Sequence, residues 1–174
     1  MCAILTLSPN QSITPEALDN VVANNSDGYG IILHDTETKR LEIKRGFNDK
    51  GTDPEDIARI LEDNKDLTRH IHLRFNTKGA SSLENTHPFP VYSSNKRQIY
   101  MMHNGTFSGL HDRVKSDTEL FNECVAEYLA GKQTEEIDTI IRSEVDACVS
   151  SGNKVLFMNG DGKTFISGEN RGAW

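Results

Sequence analysis

Short β-rich runs alternate with helices whose starts are marked by proline, and this order constrains the fold more than any single residue does. Ala3 to Leu7 reads as a buried strand. Thr14-Pro15-Glu16-Ala17 supplies an N-cap with proline at the first helical position, and Leu18, Val21 and Val22 give that helix its apolar stripe. Tyr29 to His34 and Arg40 to Arg45 form a hairpin across the polar segment from Asp35 to Lys39. Asp53-Pro54-Glu55 repeats the cap-proline signature ahead of Ile57, Ile60 and Leu61. The run from His70 to Phe75 alternates polar and apolar residues, which predicts a half-exposed strand, and Gln98 to His103 is a further strand ending at Asn104-Gly105. Two helices follow, one carrying Leu120, Phe121, Cys124, Val125, Tyr128 and Leu129, the other Ile137, Ile140, Ile141, Val145, Cys148 and Val149. That spacing predicts core positions for Cys124 and Cys148. Val155 to Met158 and Thr164 to Ser167 form a closing hairpin around Asn159-Gly160-Asp161-Gly162. Strands near both ends with helices between them predict a layered α+β domain.

The 174 residues suit a single domain over 1–174. No stretch approaches the roughly 18 apolar residues of a membrane span, and no charged-then-apolar leader opens the sequence. Three cysteines without CxxC spacing argue against a disulfide framework or a zinc ribbon and point to a reducing, cytoplasmic setting. Nineteen basic against twenty-six acidic side chains give a net charge of -7, which disfavours nucleic acid as a partner. His70, His72, His87 and His103 lack HExxH spacing or a paired cysteine set, so neither a metal nor a cofactor is expected.

The residues with chemical potential fall into a few clusters. Removing Met1, which the small Cys2 permits, leaves a thiol and a free α-amine on one Cα. An α-amine titrates near roughly 7.7–8.0 and a thiol near roughly 8.5, so one residue can hold both nucleophile and base. Period-2 alternation puts His72 and Arg74 on one strand face with Thr77 at its end. An arginine there either faces solvent or grips a small carboxylate through two parallel hydrogen bonds. Asn104-Gly105 after a strand is a turn, and in a catalytic setting its amide and backbone N–H can hold an oxyanion. Ser116-Asp117-Thr118-Glu119 is an N-cap with an acidic first turn, and Asp117 can also bind an ammonium. Asn85-Thr86-His87-Pro88-Phe89 and Asp27-Gly28-Tyr29-Gly30 read as loops, where binding residues concentrate.

Taken in order, Cys2, His72-x-Arg74-x-x-Thr77, Asn85-x-His87-Pro88, His103-Asn104-Gly105 and Ser116-Asp117-Thr118-Glu119 resemble the class II glutamine amidotransferases, glutaminase domains with an N-terminal nucleophile. The resemblance spans roughly Cys2 to Glu119. It implies a four-layer αββα sandwich of the N-terminal nucleophile hydrolase type, with glutamine as the small-molecule substrate. It further implies Cys2 as nucleophile with its own α-amine as base, and an oxyanion hole at Asn104 and Gly105. Arg74, assisted near Thr77, would take the α-carboxylate and Asp117 the α-ammonium, while Gly28 and His87 match positions of more structural character. Phe75 and Lys78 depart from a common Trp and His at those points; Phe75 keeps an aromatic surface, and Lys78 bears on how the glutamine loop closes. The sequence ends at Trp174 without an acceptor domain, so ammonia is expected to go to a separate synthetase or ligase or to be released. Two other readings stay open: an N-terminal-cysteine hydrolase of γ-glutamyl or other amides without ammonia transfer, and a non-catalytic regulatory or interaction protein on the same scaffold.

Overall fold

Residue parity along eight strands sorts the side chains into three apolar layers. The computed structural model describes residues 2–47, 51–77, 79–94 and 97–168. Strands β1 (Ala3–Leu7), β2 (Tyr29–Asp35), β3 (Arg40–Gly46) and β4 (Thr68–Leu73) form an antiparallel sheet in the order β1-β4-β2-β3. Strands β5 (Phe89–Ser93), β6 (Gln98–Asn104), β7 (Lys154–Asn159) and β8 (Thr164–Ser167) form a second in the order β5-β6-β7-β8. In the first sheet Ile31, Leu33, Ile71 and Leu73 point to helices α1 (Pro15–Asn24) and α2 (Pro54–Asp63), where they meet Leu18, Val22, Ile57 and Leu61. Ile32 points the other way and packs on Met102, Leu156 and Met158 of the second sheet. The far side of that sheet is covered by α3 (Asp117–Leu129) and by α4 (Ile137–Ile140), which continues through one π turn (Ile141–Val145) into α5 (Asp146–Cys148). The layers are therefore helix, sheet, sheet, helix.

Local chemistry starts the three long helices where the sequence predicts. Thr14 Oγ1 accepts from the Ala17 N–H at 3.2 Å, the Asp53 carboxylate from the Glu55 N–H at 2.9 Å, and Ser116 Oγ from the Glu119 N–H at 3.1 Å. Each cap satisfies an otherwise orphaned donor, worth about 1 kcal/mol.

Three expectations need correction. β4 is not half-exposed: it lies inside its sheet with both faces covered, so His70 and His72 are turned into the interior between the sheets. Burial holds both imidazoles neutral, pushing His70 down to about 4 and His72 to about 3. Cys124 and Cys148 are exposed rather than core. Both line a groove of about 640 Å³ with Phe107, Leu110, Phe121 and Tyr128, so the apolar stripes of their helices stop short of packing over them. Third, β5 starts inside the segment read as a loop. It is an edge strand, where Pro90 removes no needed ladder bond, and its register shifts between Pro90 and Tyr92.

Candidate active site

Antiparallel pairing sets the first contact of the site. β1 and β4 align Ala3 with Leu73, which brings Cys2, the residue before β1, against the chain leaving β4. The Phe75 N–H donates to Cys2 Sγ at 3.4 Å, and Sγ lies 3.6 Å from the Phe75 carbonyl. Burial pushes the Cys2 thiol up from its ordinary value; the Phe75 backbone bond and the nearby Arg74 charge oppose that shift.

Arg74 is almost fully buried. Its N–H donates to the Gly28 carbonyl at 2.9 Å and its carbonyl accepts from the Asp27 N–H at 3.0 Å, so the β2 entry turn fixes its backbone. Both terminal guanidinium nitrogens donate to the Ala80 carbonyl at 3.2 Å, and Nη2 also donates to Asn76 Oδ1 at 2.9 Å. Burial lowers its pKa, while Cys2, Asp27 and Asp117 raise it. A guanidinium remains charged in such a setting. A fixed cation thus stands beside a thiol and two carboxylates.

Asp117 opens α3, at the positive end of the helix dipole. One carboxylate oxygen accepts from the Phe107 N–H at 2.6 Å and the other from the Thr118 N–H at 3.0 Å. The first of these bonds pins the turn that follows β6. Within that turn Gly105 has φ +140°, and a Cβ there would come 2.4 Å from Asn153 Oδ1 and 2.8 Å from the Gly152 carbonyl. Only glycine fits. Asn104 is buried on the face of β6 that Tyr100 and Met102 turn toward the first sheet, and its Oδ1 has no partner among the described residues.

His103 points the opposite way, between α3 and the β7 entry. Asn153 Oδ1 can only accept, so His103 Nε2 carries the proton of that 2.8 Å bond, and Nδ1 accepts from the Thr118 hydroxyl at 2.7 Å. The His103 carbonyl in turn accepts from His72 Nε2 at 3.0 Å, which ties the two sheets together behind the site.

The constellation expected from the sequence is only partly gathered. Arg74 lies within electrostatic reach of both Cys2 and Asp117, and the Asn104-Gly105 turn is anchored to Asp117 through Phe107. Gly28 lies under Arg74 as a backbone support at φ +121°, its Cα facing Thr86 Oγ1 so closely that a Cβ would stand 2.9 Å away. His87 is buried, its ring 3.8 Å from that of His72 and edge-on to Phe89 at 4.9 Å, with neither ring nitrogen partnered among the described residues. Thr77 is exposed in the turn between Arg74 and Ala80. Met1 and Lys78 lie outside the described residues. The contributors that sequence reasoning missed are mostly backbone groups: the Phe75 and Phe107 N–H and the Ala80 carbonyl. Backbone groups carry no residue-type signal.

The family profile described as "Glutamine amidotransferases class-II" matches residues 1–159, a span that contains this whole constellation. The chain belongs to the class II glutamine amidotransferases. Two solved structures resemble this chain. One is a glutamine phosphoribosylpyrophosphate amidotransferase from B. subtilis complexed with ADP and GMP, at TM-score 0.59 and 17% identity over 92% of this chain and 35% of that one. The other, described as the allosteric regulatory enzyme of purine biosynthesis, gives TM-score 0.56 and 17% identity over 92% and 36%. The shared fold is the αββα sandwich of N-terminal nucleophile hydrolases. The chain spans about a third of the length of these relatives. Among curated proteins none matches it. Among its described residues no helix is long and apolar enough to cross a membrane, and no group of three His, Cys, Asp or Glu side chains is arranged to hold a metal.

Proposed function

We propose that this amidotransferase hydrolyses the side-chain amide of glutamine through a thioester on Cys2. The observation that supports the reading is a buried Arg74 cation within electrostatic reach of Cys2 and of the Asp117 carboxylate, which itself holds the turn that only glycine can form. Arg74 binds the α-carboxylate and Asp117 the α-ammonium, so the amide projects toward Sγ. With Met1 removed, the α-amine of Cys2 takes the thiol proton as sulfur attacks the amide carbon. The Asn104 amide and Gly105 N–H receive the oxyanion; loss of one such donor costs about 3–4 kcal/mol in related chemistry. Ammonia leaves, and water hydrolyses the γ-glutamyl thioester to glutamate. The ammonia goes to a separate synthetase or ligase, and the free cysteines suit a cytoplasmic setting.

The direct test is release of glutamate and ammonia from L-glutamine, compared with a bulky γ-glutamyl anilide. Turnover of the anilide alone would exclude a glutaminase. Within that assay Asp117→Asn keeps an oxygen for the Phe107 N–H but removes the charge. It is expected to raise KM for glutamine about 10- to 100-fold, the value of one charge-assisted hydrogen bond. An unchanged KM would remove Asp117 from the clamp. Gly105→Ala is expected to lower kcat about 100-fold or more, because the new methyl displaces the turn from Asn153. Gly109→Ala, whose Cβ meets nothing within 4 Å, is the control expected to keep parental rates; equal kcat values for the two variants would sink the oxyanion assignment.

A further inference from the structure

Asn85 is buried at 2% exposure and touches neither Cys2 nor the proposed substrate contacts directly. Its side chain nevertheless joins the two ends of the clamp. The amide nitrogen donates to the Ala80 carbonyl at 3.1 Å and to the Val114 carbonyl at 2.9 Å, while Oδ1 accepts from the Ser116 N–H at 2.8 Å. Ala80 is the residue whose carbonyl holds both guanidinium nitrogens of Arg74. Ser116 is the N-cap of α3, immediately before Asp117. A backbone bond from the Ala80 N–H to the Val114 carbonyl at 2.9 Å closes the circuit.

A carboxamide has two N–H donors and one carbonyl, and at Asn85 all are engaged by backbone groups of two separate loops. No other residue of this size offers that set. Aspartate has the same shape but aims oxygen at two carbonyls. We propose that Asn85 is a positioning residue that sets the separation between Arg74 and Asp117, and so matches the site to an α-amino-acid head group of one length. This rests on the glutaminase reading above. Asn85 acts through Ala80 and Ser116, so its removal acts on head-group binding and leaves the nucleophile in place.

The test compares wild type with Asn85→Asp in two measurements. The first is the kinetics of glutamate release from L-glutamine. The second is the rate at which iodoacetamide, which has no α-ammonium or α-carboxylate, alkylates Cys2, read by peptide mapping with and without L-glutamine as protectant. Two lost hydrogen bonds are expected to raise KM, and the half-protecting glutamine concentration, about tenfold or more, with kcat and the unprotected alkylation rate within about threefold of wild type. Unchanged KM and protection overturn the proposal, as does a fall in kcat and alkylation without a change in KM. Asn85→Ala, which adds no charge, supplies the same comparison if the aspartate variant does not fold. Failure of both variants to fold assigns Asn85 to stability alone and overturns the positioning role. A folded wild-type chain that neither hydrolyses L-glutamine nor is protected by it overturns the glutaminase reading itself, an outcome separate from any effect of Asn85.

Discussion

Cys2→Ala is expected to release no measurable glutamate from L-glutamine while unfolding at the same temperature as the parent. The side chain is half-buried, and its recorded polar contacts are with the Phe75 backbone, so truncating it removes little packing. What disappears is the covalent route. Without a nucleophile, neither the base nor the oxyanion turn has an attacking atom to assist, and catalytic groups that act as a unit are lost together. The same chemistry sets a pH dependence. Burial raises the thiol pKa, against the Phe75 bond and the Arg74 charge, so little thiolate is present at neutral pH. Activity is therefore expected to climb as pH rises and the base becomes neutral. The measurement is a glutamate-release assay on protein whose first residue has been verified as Cys2 by intact mass. Undiminished glutamate release from Cys2→Ala would remove Cys2 from the mechanism.

Mild acid is expected to destabilise the protein strongly before most of its carboxylates are protonated. His70 and His72 are buried neutral, their pKa values lowered by desolvation to about 4 and about 3 from an ordinary 6.5, and His87 is driven down by the same burial. Their folded pKa values lie below the unfolded one, so beneath pH 6.5 the unfolded chain binds more protons than the folded chain. The stability these groups provide is complete above 6.5 and drains away as pH falls toward their folded values. Each loses about 1.4 kcal/mol per pH unit in that window. For His70 and His72 together this is about 5 kcal/mol by pH 4.5, against a typical total of about 5–15 kcal/mol. The carboxylates with lowered pKa, such as Asp35 and Glu62, lie at the solvent-screened surface and add nothing comparable. Urea unfolding at a series of pH values from 7.5 to 4.5 measures this directly. A midpoint independent of pH across that range would refute it.

Much of the architecture was legible because its signals are local. A threonine or aspartate before proline acts on donors one turn away, so the helix starts at Thr14 and Asp53 could be read without knowing the neighbours. Burial could not be read in the same way. The alternation around His70 and His72 states only that two faces differ, and whether the polar face meets water or another sheet is decided by residues such as Met102 and Leu156, far along the chain. Helical spacing likewise gave Cys124 and Cys148 a direction but not the depth of the packing beside them. In the candidate site the charged side chains stood out by type, and Asp117 lies within electrostatic reach of the buried Arg74 guanidinium. Asn85 was visible only as part of a loop, since its significance comes from the two backbones it joins.

The order β1-β4-β2-β3 leaves β1 at the rim of its sheet, with Cys2 on the last step before it. Under the proposed chemistry this decides how the protein can be handled. A purification handle fused ahead of Cys2 would turn the amine into an amide and crowd the Phe75 backbone, giving a sample that folds well and does nothing. Recombinant material intended for assays should carry its handle at the other end, or be cleaved so that cysteine is the first residue exposed.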